Sequence, residues 1–145
     1  MKKIIFKNMQ SPGDIMMLQL AVRELHKCYP NEFETDIVSP YPEITYKNPL
    51  LTKLIENGMK DPDAVILDVN YNYELVENKK GSGSHFSDGF ITDINQKLGL
   101  NITKDHIYPS IYLDNEEMND GIRDKYDLPD RYWIFNAGIK NDIPL

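Results

Sequence analysis

Apolar residues cluster first at Ile4-Ile5-Phe6 and then recur three or four residues apart at Ile15, Leu18, Val22 and Leu25, joined by Ala21 and Cys28. The first group has the length of a strand, and the second forms one face of an amphipathic helix. The pattern predicts a strand ending at Lys7, a turn through Ser11-Pro12-Gly13-Asp14, and a helix from Ile15 to Tyr29 that Pro30 ends. Thr35–Ser39 reads as a second strand, stopped by Pro40 and Pro42. Asn48 with Pro49 reads as the cap of a short helix carrying Leu50, Leu51, Leu54 and Ile55, closed by Gly58. Ala64–Val69 is a nearly continuous apolar run with one acid, the pattern of a strand covered on both faces. Phe86, Phe90, Ile94 and Leu98 mark the buried stripe of another helix. Near the end, Asp114 starts a helix to about Tyr126, Leu128-Pro129 stops it, and Tyr132–Asn136 begins a further strand. Strands alternating with helices predict an α/β protein built on an open, mostly parallel sheet with helices on both faces.

The start of the first helix carries the most chemistry. Ser11 reads as its N-cap, Pro12 suits the first helical position, and Asp14 follows three residues after the cap, as in a capping box. An acid there serves the free backbone N–H groups, and the helix dipole favours its negative charge. The same ionised carboxylate could accept a proton from an attacking hydroxyl, so capping and general-base roles are compatible. Gly13 beside it lets a ligand approach the backbone closely. In open α/β sheets the ligand crevice lies beyond the carboxyl ends of the strands, where this turn falls.

Elsewhere the candidates are fewer. Asn78–Ser84 is polar and rich in Gly, Ser and Lys, either a plain surface connector or a loop that orders when substrate binds. His85 and Asp88 follow it at a helix start, and His85 is the histidine best placed to meet a ligand. The three histidines, His26, His85 and His106, lack metal-ligand spacing, and His26 late in the first helix suits the dipole as a partly charged imidazole. Asp61, Asp63 and Asp68 read as a solvated acidic face with no metal. The lone Cys28 cannot form an internal disulfide and reads as packing.

A chain of 145 residues supports one ordinary core. Its formal charge of −7 argues against nonspecific binding to nucleic acid or anionic membranes, which needs clustered Lys and Arg. The apolar run after Lys2-Lys3 is cut short by Lys7, and no stretch reaches transmembrane length. These features lead to the expectation of a cytoplasmic protein that touches a membrane at most peripherally, through its substrate.

The strand Ile4-Ile5-Phe6-Lys7, the turn Ser11-Pro12-Gly13-Asp14 and the following helix resemble the opening of glycosyltransferase family 9, which includes the ADP-heptose:lipopolysaccharide heptosyltransferases. Asn48-Pro49-Leu50-Leu51, His85–Phe90 leading to Lys97-Leu98-Gly99-Leu100, and Tyr132–Gly138 resemble later landmarks of that family, in the same order. The resemblance implies the amino-terminal, acceptor-side Rossmann-like half of a GT-B fold over residues 1–130. Residues 131–145 would begin the donor-binding domain, the rest of which would lie outside this sequence, leaving the chain alone inactive. It implies Asp14 as catalytic base and Lys7 near the cleft, with Ser11, Gly13 and His85 on the substrate side. No cofactor or metal is implied, only a nucleotide-sugar donor such as ADP-heptose and a glycan or lipopolysaccharide-type acceptor. Met17 stands where the heptosyltransferases commonly carry histidine, and Leu20 where their first helix often has proline, so donor sugar and acceptor stay open. The alternative from another class is a noncatalytic Rossmann-like module that holds a sugar or anion at Ser11–Asp14 or docks a separate domain.

Overall fold

The computed structural model describes residues 1–71, 85–105 and 108–113, together with 121, 126, 127 and 129. The chain divides into two compact units, Met1–Leu113 and Asp114–Leu145, and all the elements named below lie in the first. The expected loop at 78–84, His106, the helix from Asp114, the strand Tyr132–Asn136 and the boundary near residue 130 fall outside the described residues or at their margins.

Strand β1 spans Lys2–Lys7, helix α1 Pro12–Cys28, β2 Phe33–Val38, α2 Pro42–Thr45, β3 Ile55–Glu56, β4 Met59–Lys60, β5 Val65–Asp68 and α3 Phe86–Leu98. β1 lies between β2 and β5 in a three-stranded parallel sheet, with Phe6 opposite Ile37 and Leu67. β3 and β4 form a separate antiparallel pair. The molecule is thus an α/β protein with a parallel sheet flanked by helices, as its alternating pattern predicts.

Side chains of a strand alternate between faces, so Ile4 and Phe6 point one way and Ile5 the other. Ile4 and Phe6 join one core cluster with Ile15, Leu18, Val22 and Leu25 of α1 and Phe90, Ile91 and Ile94 of α3. Ile5 meets Leu54 and Ala64 in a smaller cluster on the opposite face. Both long helices therefore share one face. Among the described residues the other face is covered by the 51–64 segment, not by the helices expected there.

Four further expectations are corrected. The residues after Asn48 form no helix: Leu51 bridges to Thr35 in parallel, and 55–60 fold into the β3–β4 hairpin. Asn48 is not a cap but a buried amide, donating through Nδ2 to Gln19 Oε1 of α1 at 3.0 Å and accepting the Leu50 N–H at 3.0 Å. Asn57 and Gly58, both with positive φ (50° and 77°), supply the two-residue hairpin turn. Second, the strand covered on both faces is the central β1, whereas β5 leaves Val65 63% and Ile66 48% exposed. β5 has a hydrogen-bonded neighbour on one side only among the described residues. Third, His26 is no charged partner of the dipole. Its Nε2 lies 2.8 Å from Thr35 Oγ1, and burial pushes the imidazole below its ordinary value, favouring the neutral ring. The apolar stripe of α3 also shifts, with Ile91 buried while Phe86 is exposed and packs edge-on against Tyr71.

Candidate functional site

The site is assembled where the parallel strands end. β1 delivers Lys7 and then Asn8, and the chain turns through Met9 and Gln10 into Ser11 and α1. Asn8 is 2% exposed and ties this turn to the end of β5, its Nδ2 donating to the Val69 carbonyl at 2.7 Å and to Gln10 Oε1 at 2.8 Å. Its Oδ1 accepts the Gln10 N–H at 2.9 Å, and its own N–H donates to Val38 at the end of β2 at 3.0 Å. Asn8 thus fixes the turn against both neighbouring strands, through its side-chain amide on the β5 side and its backbone N–H on the β2 side. No apolar periodicity points to Asn8; the available signal is a polar residue placed directly after a buried strand.

Ser11 caps α1 from an extended conformation, with Pro12 at the helix start. The Asp14 carboxylate accepts the Ser11 N–H at 3.0 Å and the Ser11 hydroxyl at 2.6 Å, both on Oδ2. Oδ1 has no hydrogen-bond partner among the described residues, and Asp14 is half-buried at an otherwise exposed turn. The arrangement locks the carboxylate in one orientation while leaving an oxygen free to accept a proton. A Cβ at Gly13 would lie 3.8 Å from Ser11 Oγ, an ordinary contact, so folding does not demand glycine there. What the missing side chain provides is open backbone beside Asp14.

Lys7 is half-exposed and pairs with Asp68 of β5 at 3.3 Å. Lys97 of α3 reaches the same strand end, donating to the Asp68 carbonyl and to Asp93, each at 2.7 Å, while Asp93 accepts the Asn70 N–H at 3.0 Å. The sheet therefore ends in a band of alternating charge. His85 belongs to a second helix start: its Nδ1 accepts the Ser87 N–H at 3.3 Å, and its own N–H donates to Asp88 Oδ2 at 2.9 Å. Lys104 completes that cap, 2.5 Å from Asp88 Oδ1 and 3.0 Å from the buried Ser87 hydroxyl. Among the described residues no hydrogen bond or ion pair joins Lys7 or His85 to the Ser11–Asp14 turn. Ser11, Gly13 and Asp14 stand together, whereas the other two expected site residues have local partners of their own.

No group of three or more His, Cys, Asp or Glu side chains among the described residues is placed to hold a metal ion. Nor is any described helix long and apolar enough to cross a membrane. Among the described residues a cavity of about 620 Å³ lies along β2 and another of about 490 Å³ near Met1, Val65 and Leu98, and none of the five expected site residues lines either. Comparison of the chain with family models, curated proteins and solved structures gives no match.

Proposed function

We propose that this chain is the acceptor-side domain of an inverting GT-B glycosyltransferase of heptosyltransferase type, with Asp14 as its general base. The observation that carries the reading is the Asp14 carboxylate, held by Ser11 through one oxygen and open at the other, at the carboxyl end of a central parallel strand. In this scheme Asp14 Oδ1 takes the proton of an acceptor hydroxyl as that oxygen attacks the anomeric carbon. The new C–O bond forms on the face opposite the old one, and the bonding pair of the old one leaves with the nucleoside diphosphate. Helix N-termini and basic groups of a donor-binding half would stabilise that anion. Lys7 and its partner Asp68 would border the cleft, with Ser11 and Gly13 beside the acceptor and His85 farther along its path. The acceptor is a glycan or lipopolysaccharide-type molecule reached from the cytoplasm.

The reading is tested by supplying the complete gene product with ADP-heptose and a lipopolysaccharide core acceptor and determining the anomeric configuration of any product. Transfer with inversion is expected, and transfer with retention overturns the mechanism. Binding without turnover across a range of nucleotide-sugars would favour the second reading, a noncatalytic sugar- or anion-binding module. That reading draws on the same geometry, because the bonds to Ser11 are also those of a capping box.

A further inference from the structure

We propose that the cavity along β2 is a binding site for a neutral polyhydroxylated ligand, a sugar ring or short glycan, separate from the Ser11–Asp14 turn. Its volume of about 620 Å³ falls in the range of small-molecule sites. The edge of β2 from Asp36 to Ser39 forms one wall, α2 with Tyr46 another, and Leu51–Asn57 a third.

The wall at Asp36 has a structural cause. The parallel bridge between Thr35 and Leu51 ends there, and the Asp36 side chain replaces the missing strand. Its Oδ1 accepts the Ile37 N–H at 2.8 Å, and its Oδ2 accepts the Leu54 N–H at 3.0 Å. Each carboxylate oxygen can accept more than one hydrogen bond, so Asp36 keeps acceptor capacity beside the cavity. Burial pushes its carboxyl above the ordinary value despite the N–H groups of Ile37, Leu54 and Ile55.

The remaining lining selects the ligand class. Asp36 and Glu56 against Lys53 leave the cavity net negative, which disfavours phosphate or carboxylate ligands. A hydroxyl-rich molecule can donate to both carboxylates and accept from Lys53 without bringing a charge of its own. Val38, Leu51 and Ile55 offer apolar surface to the C–H faces of a ring, and Tyr46, 65% exposed, adds an aromatic ring at the rim, with the Lys47 ammonium 5.1 Å from its centroid. The Asn8 N–H on the Val38 carbonyl places this wall next to the loop that leads to Asp14. Binding here requires no catalysis by Asp14.

The test is a nuclear magnetic resonance titration of the labelled chain with neutral mono- and disaccharides (glucose, galactose, N-acetylglucosamine, lactose and maltose), with inorganic phosphate and spermidine as charged comparators. Saturable shifts at Ser39, Thr52 and Glu56 with a neutral sugar, and none with phosphate, are expected. Tyr46→Ala and Glu56→Gln, both at exposed positions, should each weaken that binding about three- to tenfold, the effect of one lost contact. Asp14→Asn should bind as the native chain does, so failure of the catalytic reading would leave this result intact. Absence of saturable shifts with every sugar, response to spermidine or phosphate alone, or sugar binding indifferent to both cavity variants would each overturn the proposal.

Discussion

His26 and Glu24 are two of the groups that shape how this fold responds to acid. Burial pushes the His26 imidazole below 6.5, so between that value and its lowered folded value the unfolded chain binds the extra proton. Stability should therefore fall as pH drops through about 6.5 and below, with no such penalty above it. Glu24 is nearly inaccessible; burial raises its carboxyl, but hydrogen bonds from Arg23 at 2.9 Å and Lys27 at 3.2 Å outweigh this and hold it below 4.5. Its contribution is present above 4.5 and is lost as pH falls through the lowered folded value. Urea melts across this range should show a loss of stability below about 6.5 from His26 and a further loss from Glu24 at lower pH, the latter offset in part by Asp36, whose raised carboxyl acts in the opposite sense. His26→Gln, whose amide can still donate to Thr35, should remove the first and keep the second; an unchanged profile would contradict this account of His26. At this scale the sequence discloses what is local. Ser11 with Asp14 is read correctly because its bond closes over three residues, whereas His85 and Asp88 are only placed at a helix start and their bond to each other is not foreseen. Asn8 to Val69 spans 61 residues and Asn48 to Gln19 spans 29, so neither partner is visible from its neighbours.

The long helices are legible because period and caps agree. α1 buries Ile15, Leu18, Val22 and Leu25 as its spacing predicts, and α3 ends at Gly99 in the left-handed conformation, φ 65°. There Asn95 folds the chain back, its Oδ1 accepting the Ile102 N–H at 2.7 Å and its Nδ2 donating to the Ile102 carbonyl at 3.1 Å. A Cβ at Gly99 would meet nothing within 4 Å, so the cost of replacing it is conformational alone. Gly99→Ala should destabilise the protein by about 1 kcal/mol, read from a shifted urea midpoint with an unchanged slope. A neutral effect would contradict the left-handed cap. The 48–64 region is misread because Asn48-Pro49 has the form of a cap while its amide is spent inside the core. Asn57-Gly58, a strong turn signal, was overshadowed by four aliphatic residues at near-helical spacing. β5 misleads for another reason: an apolar run reports hydrophobicity, but whether both faces are covered depends on which strands lie beside it.

At the scale of the whole molecule, the order β2-β1-β5 puts the most buried strand in the middle and brings the turns after all three strands to one edge. The candidate base and the cavity along β2 both belong to that edge, joined by the backbone bond from Asn8 to Val38. Alternation of strands and helices was enough to foresee the parallel α/β sheet, but not the placing of α1 and α3 on one face, which depends on how the connections cross. The central claim is that Asp14 acts on substrate beyond capping its helix, and Asp88 supplies the control, because it accepts the N-cap N–H of α3 as Asp14 does in α1. Transfer from ADP-heptose should be measured for Asp14→Asn and Asp88→Asn in the complete gene product, alongside their unfolding midpoints. Asp14→Asn should lose about 1 kcal/mol of stability or less, and Asp88→Asn somewhat more because it also weakens the contact with Lys104. Asp14→Asn should lose roughly 100- to 10,000-fold in rate while Asp88→Asn stays near the native rate. Full activity in folded Asp14→Asn, or equal losses in the two variants, would contradict the account and leave Asp14 a helix cap alone.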